Sequence, residues 1–353
     1  MKKVNGSCLL AGLVLALVGC GDAGSAEDSS AGTSANGGTG NADDGTLGGS
    51  SNGGSGSATA SGGSSASGGT SGDGGSGNSG GSGVGGSSSG TGGTGNPPML
   101  GDPVLPSPDG DCPDFDVESQ VIKGLQTEVR AGTPGAVKGP LVFAWHGTGL
   151  DGASAVFQLG SSVLSDILAQ GGVVIAPTNN GQVRVGPSPN DVWYEGSDLE
   201  YADHIVACAV QNHNIDPRRI YATGCSAGGL MSAAMAVKRS NYVAAVAPNS
   251  GGLTFTIGLQ FQDPTRIPAG FTMHGEGGFE TSFVGWSANF DGFLTDAGGF
   301  AVNCDHGGGH CGAPLELREA AWEFLKAHPF GIDPYPYSAG LPGTYPNYCT
   351  VIE

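Results

Sequence analysis

One serine stands where the chain has the means to make it a nucleophile. Ser226 sits in Gly224-Cys225-Ser226-Ala227-Gly228, preceded by the apolar run Arg219 to Thr223 and followed by Gly229-Leu230-Met231 and further small residues in a helical pattern. The stretch reads as strand, sharp turn, helix, which holds a serine out at the carboxyl end of a strand, and the small neighbours let strand and helix approach closely. The N–H groups at the start of the helix then point toward the place where an oxyanion would form. In a chain of 353 residues with 68 glycines the pentapeptide alone carries little weight. Its strand and helix flanks are what mark Ser226 as a nucleophile.

A serine nucleophile needs a histidine base and a carboxylate to orient it, met in the order serine, acid, histidine in one large class of hydrolytic sheets. The histidines after Ser226 are His274, His306, His310 and His328. His328 adjoins Pro329 at the end of the last helical pattern and reads as a packing residue. His274 closes a strand, where His274-Gly275 reads as a turn. His310 lies in the glycine-rich segment Asp305-His306-Gly307-Gly308-Gly309-His310-Cys311, from which a base can reach back to the elbow; it is the first choice, with His306 second. The acid belongs on the loop after the His274 strand, where the candidates are Glu276, Glu280, Asp291 and Asp296. Glu280 lies far enough past the strand to turn back toward the site, whereas the others read as solvated loop or helix-face carboxylates. The oxyanion donors expected are the backbone N–H groups of Ala227 and of Thr148, in His146-Gly147-Thr148-Gly149. His146 itself reads as packing or hydrogen bonding beneath that loop. Trp193, Tyr194, Phe283 and Trp286 are candidates for the walls of an acyl pocket.

These residues need a frame that gathers them. Gln120 to Arg130 alternates as an edge strand or hairpin arm. Pro140 to His146 is a solid apolar run of the kind buried on both faces of a parallel sheet. A helical pattern follows from about Ser154 to Gln170, then a second buried strand from Gly172 to Ala176. Leu199 to Gln211 reads as a helix stopped by Asp216-Pro217, and Arg219 to Thr223 as the strand into the elbow. Tyr242 to Ala247 and Ala269 to Met273 continue the strands, and Leu315 to His328 forms a final amphipathic helix. Strands alternating with helices predict an α/β fold with a mostly parallel central sheet and helices on both faces. In such sheets the functional groups collect at the strand carboxyl ends, where His146, Ser226 and His274 fall.

The N-terminal part has another character. Lys2 and Lys3, an apolar run from Leu9 to Val18, and Leu17-Val18-Gly19-Cys20 read as a signal peptide over residues 1–19 with a bacterial lipobox, which predicts acylation of Cys20. The run is too short for a comfortable membrane span. Residues 20–97 are almost wholly Gly, Ser, Thr, Asn and Ala with a few acids, a composition that cannot bury a core, so they are expected to form a disordered tether with an r.m.s. span of about 45–50 Å. Residues 98–353 are long enough for one domain. The net charge of −19 disfavours nucleic acid as a partner. Cys112, Cys208, Cys225, Cys304, Cys311 and Cys349 remain beyond the leader, an even number that in an exported domain suggests disulfides.

Taken together, Trp145-His146-Gly147-Thr148-Gly149, the block from Asp216 through Gly229 and the Gly308-Gly309-His310 before the last helix resemble the polyhydroxybutyrate depolymerase and feruloyl esterase group of secreted α/β-hydrolases. The resemblance covers nearly all of residues 98–353 and implies serine-esterase activity on carboxylic esters of polyester or feruloyl/acetyl-polysaccharide type, with Ser226 as nucleophile and His310 as base. It implies no cofactor. The chain departs from the group at the acid loop His274-Gly275-Glu276-Gly277-Gly278-Phe279-Glu280: glycine occupies the expected aspartate position, so Glu280 must serve from a shifted one. Two rivals follow from the residues alone. Cys304, His306, His310 and Cys311 have donor types that suit zinc, although cysteines of an exported domain tend to pair. A non-catalytic surface-binding lipoprotein on a hydrolase fold is the alternative function. The expected product is a monomeric, lipid-anchored esterase at the cell surface, the outer membrane or beyond it, whose partners are an ester substrate and the membrane.

Overall fold

The computed structural model describes residues 99–179, 193 and 196–353. The leader, Cys20, the Gly/Ser-rich segment with its expected boundaries, and Tyr194 lie outside the described residues. Among the described residues nine strands make one sheet. In chain order they are β1 (Ser119–Ile122), β2 (Leu125–Ala131), β3 (Gly139–Trp145), β4 (Val173–Thr178), β5 (Ile215–Cys225), β6 (Ala245–Asn249), β7 (Ala269–His274), β8 (Ala301–Asp305) and β9 (Cys349–Ile352). Their order across the sheet is β1-β2-β4-β3-β5-β6-β7-β8-β9. From β4 to β8 every neighbouring pair is parallel, and antiparallel strands close both edges.

The apolar runs of the central strands are explained by burial on two faces. Leu141, Phe143 and Trp145 of β3 belong to one core, with helices α3 (Ser197–Asn212) and α4 (Ala227–Lys238) and with Phe290 and Leu294 of α5 (Thr281–Asp296). The alternate residues Val142 and Ala144 belong to the other, with α1 (Gly152–Leu159), α2 (Ser161–Ala169) and α6 (Leu315–Ala327). Successive side chains of a strand point to opposite faces, so a strand covered on both sides must be apolar throughout. Among the described residues no helix is long and apolar enough to cross a membrane.

Three local expectations are corrected. The helix expected from Ser154 to Gln170 is two helices, broken at Gly160, whose φ of 88° takes the chain out of helical geometry. Asp216-Pro217 does not stop a helix: α3 ends at Asn212, Asn214 turns the chain with a φ of 51°, and both residues lie inside β5. Gln120 to Arg130 is not one strand but spans both arms of a hairpin, whose second arm pairs inward with β4 and leaves β1 as the edge on that side of the sheet. Disulfides join Cys112 to Cys208, Cys225 to Cys311 and Cys304 to Cys349.

Candidate active site

The β5–α4 junction is the sharp turn that its sequence predicts. Ser226 has φ 57° and ψ −120°, a conformation that a non-glycine residue adopts only under constraint from its surroundings. The constraint is visible. The Ser226 N–H donates to the Asn249 carbonyl of β6 at 3.0 Å, and Leu230 N–H closes the first helical turn on the Ser226 carbonyl at 2.9 Å. A side chain at Gly228 would run into the Trp145 carbonyl of β3, so only glycine lets α4 start this close to the sheet. Ser226 is half-buried.

The loop after β3 lies directly against this turn. A β-carbon on Gly147 would stand 3.3 Å from Cβ of Ser226. Thr148 is exposed on that loop, and Ala227 is the first residue of α4, where a backbone N–H has no helical partner. His146 is buried beneath the loop: Nδ1 lies 2.8 Å from the Gly147 carbonyl, Nε2 accepts from the Asn179 amide at 3.0 Å, and its own carbonyl accepts from the Trp193 indole at 2.9 Å. Trp193 is also buried, edge-on to Trp145 at 4.7 Å between centroids. It supports the loop from below and is not an open pocket wall.

The structure brings Glu280 to His310. Nδ1–H of His310 donates to Oε2 of Glu280 at 2.6 Å. The carboxylate is buried, and its other oxygen accepts from the Ser250 hydroxyl at 2.5 Å and from the Gly275 amide at 3.1 Å. Burial opposes the charge on Glu280, but the hydrogen bonds from Ser250, His310 and Gly275 outweigh it and hold the carboxyl below the usual range. With its Nδ1 proton committed to Glu280, a neutral His310 keeps Nε2 free as a base. Cys311, next to His310, is bonded to Cys225, next to Ser226. A ring nitrogen of His310 lies within 4.8 Å of both sulfurs, so base and elbow share one spot.

The remaining candidates are elsewhere. Glu276 and Asp296 are exposed. Asp291 is not a solvated helix-face carboxylate: it is buried behind β7 and β8, accepting from Thr272 at 2.9 Å and Asn303 at 2.7 Å, and burial pushes its carboxyl up to about 7. His306 is half-buried, accepts from the Gly308 amide at 3.1 Å, and burial pulls its imidazole pKa down. His274 is buried between Gly275 and Asn303, and His328 is stacked 4.0 Å from Phe324. The four cysteine and histidine positions weighed for zinc are not free to serve together, because Cys304 and Cys311 are both in disulfides.

At position 278, where an aspartate was expected, the chain has glycine, and the carboxylate that meets His310 is that of Glu280. Gly278 is exposed and its φ of 53° opens onto space with no atom near a β-carbon, whereas the short 3-10 turn Gly278–Glu280 carries the next acid inward. Sequence reasoning missed Phe279, which stands 63% exposed with its ring 4.8 Å from that of His310. Phe283 packs 4.5 Å from the same imidazole and Trp286 packs 4.8 Å from Phe283, so Phe279, Phe283 and Trp286 form an aromatic flank on the base. It also missed Ser250, which no motif distinguishes.

Known proteins agree with this architecture. The prolyl oligopeptidase family matches residues 161–256. Poly(3-hydroxyalkanoate) depolymerase C of Paucimonas lemoignei is 28% identical over 231 residues, 62% of this chain and 51% of its own. The chain therefore spans about half the length of that depolymerase. The crystal structure of native pOPH superposes with a TM-score of 0.52 at 20% identity, covering 69% of this chain and 96% of its own. Native sOPH gives 0.53 at 18% identity, covering 70% and 97%. The fold is that of an α/β-hydrolase, and the chain resembles the esterases of that group that include polyhydroxyalkanoate depolymerases.

Proposed function

We propose that the protein is an exported, lipid-anchored serine esterase that cleaves carboxylic esters through Ser226, His310 and Glu280. The observation that carries this reading is the Glu280–His310 hydrogen bond, held beside the elbow by the Cys225–Cys311 disulfide. Nε2 of His310 takes the Ser226 proton as the serine oxygen attacks the ester carbonyl, and Glu280 stabilises the imidazolium that forms. The Ala227 and Thr148 amides receive the oxyanion. His310 then protonates the departing alcohol, and water, activated by the same imidazole, releases the acid.

Three disulfides among the described residues fit an oxidising compartment, which supports export. Acylation at Cys20 is the finer proposal, checked by the mass of the mature N-terminus. The aromatic flank of Phe279, Phe283 and Trp286, open on one side, suits a bulky or polymeric ester.

The test is hydrolysis of a p-nitrophenyl ester panel by the full chain and by Ser226→Ala, with a fluorophosphonate label located by mass spectrometry. Turnover lost on substitution, with the label on Ser226, is expected. A folded protein with neither turnover nor label would overturn the reading in favour of a non-catalytic surface-binding lipoprotein.

A further inference from the structure

Glu280 reaches His310 from a short turn whose segment is tied to the base loop by a backbone bond from the Glu276 N–H to the Gly308 carbonyl at 3.2 Å, and Ser250 adds a tie at the carboxylate itself. Ser250 follows β6 directly, is fully buried, and has a φ of 45°. Its own N–H is taken by the Met273 carbonyl of β7 at 2.7 Å, which locks the backbone in that conformation. Its hydroxyl has two close partners that face in different directions, besides a long 3.5 Å contact to Oδ1 of Asn249. It donates to Oε1 of Glu280 at 2.5 Å and accepts from the backbone N–H of Cys311 at 2.9 Å. The accepted amide fills a lone pair and turns the hydroxyl proton toward the carboxylate, so the two hydrogen bonds reinforce each other.

The two partners belong to the two segments that must meet for a charge pair to form. Glu280 lies on the turn after β7, and Cys311 is the residue after His310 on the loop after β8. We infer that Ser250 is a positioning residue that clamps the acid turn to the base loop, setting the Glu280–His310 geometry that the displaced acid could not hold alone. This inference rests on the proposed reading of the site.

Charge supports the assignment. The titratable groups around Glu280 are His310 and His306 on the base loop, with His274 and Asp305 behind them at the ends of β7 and β8. Of the interactions that favour ionised Glu280 over the opposing effect of burial, the Ser250 hydrogen bond is the largest, ahead of that from His310. Removing the hydroxyl leaves the carboxylate buried with one polar contact fewer.

The experiment uses the full chain with Ser250→Ala and Ser250→Gly, each also in a Glu280→Gln background. The glycine variant removes the hydroxyl while accepting the positive φ without strain, so it remains foldable if alanine does not. In the wild-type background both should lower kcat about 10–100-fold with KM within about twofold, the scale of one hydrogen bond to a charged group. In the Glu280→Gln background the same substitutions should cost less than about threefold, because a residue that acts through another has nothing left to act on. Equal losses in both backgrounds, or a kcat within about twofold of wild type, would overturn the assignment. A second readout does not need turnover. The ¹³C carboxyl titration of Glu280, assigned by its loss in Glu280→Gln, should move up in both Ser250 variants, and coincident titrations would overturn the clamp. A wild-type protein with neither turnover nor Ser226 label would defeat the esterase reading, and the carboxyl titration would still decide whether Ser250 and Glu280 are coupled.

Discussion

Glu280 and His310 are 30 positions apart and meet at 2.6 Å, with the carboxylate buried and the imidazole half-open. The acid is fixed at one oxygen by Ser250 and Gly275, and only the other is offered to the base. Glu280→Gln should therefore lower kcat by about 10³-fold or more, through loss of the charge and of the imidazole's preferred tautomer. Glu280→Asp is one methylene shorter and cannot satisfy both ends. A loss of about 10²-fold in kcat is expected, on the scale of a misplaced catalytic group. Steady-state kinetics on a p-nitrophenyl ester checks both, and an aspartate variant with wild-type kcat would show that the acid does not need its anchored oxygen.

The Cys225–Cys311 bond closes a separation of 86 residues and joins the neighbours of nucleophile and base. The double variant Cys225→Ala/Cys311→Ala leaves no free thiol at the site. It should lose about 2–4 kcal/mol of stability, read by urea unfolding. It should also lose about tenfold or more in the rate of fluorophosphonate labelling of Ser226, as the base loop loosens. Unchanged labelling would mean that Ser250 and the loop's own hydrogen bonds hold His310 unaided.

Gly147 brings the β3 loop up against the elbow at the serine itself. A β-carbon there would stand 3.2 Å from the Cys225 carbonyl oxygen and 3.3 Å from Cβ of Ser226. Gly147→Ala should therefore move the loop away from the serine, lowering kcat about 10–100-fold by weakening the oxyanion contact. KM should change little. A variant with full kcat would place the oxyanion donors elsewhere.

The acid side of the stability curve has an identifiable contributor. His328 is buried in an aromatic stack with Phe300 and Phe324, and burial lowers its pKa to about 4. An unfolded histidine titrates near 6.5, so between about 6.5 and 4 the unfolded chain binds the extra proton and stability falls as the pH falls. His328→Gln removes this slope. Urea midpoints at pH 7.5 and pH 5 should differ less for the variant than for the wild type, and equal differences would show that His328 is not the titrating group.

Much of this was legible because the physics is local. Residues 140–145 and 220–222 are buried runs without charge, and burial on two faces demands that. The elbow was legible because a serine between small residues at a strand-to-helix turn has few other uses. Elements with weak local signals were not. In α5, Gly285 and Gly292 interrupt the helical pattern, and β8 is five residues long with Asn303 and Asp305 in it. The break at Gly160 looked like any glycine in a glycine-rich chain. Glu280 could be named from its distance past β7. Its partner Ser250 could not, because that contact is made by tertiary packing across three strand ends.

The bond between Cys112 and Cys208 also decides how the molecule bears load. The two cysteines are 96 positions apart, and β1, β2, β3 and β4 all lie between them. Tension applied at residue 99 travels to Cys112, crosses the sulfurs and enters α3 without passing through any of those strands. A pull from that end strips the short segment before Cys112 and then loads α3 rather than the strands between the two cysteines. The edge hairpin, the first element that a tugged sheet would ordinarily shed, is out of the line of force, and the loop that faces Ser226 is shielded with it.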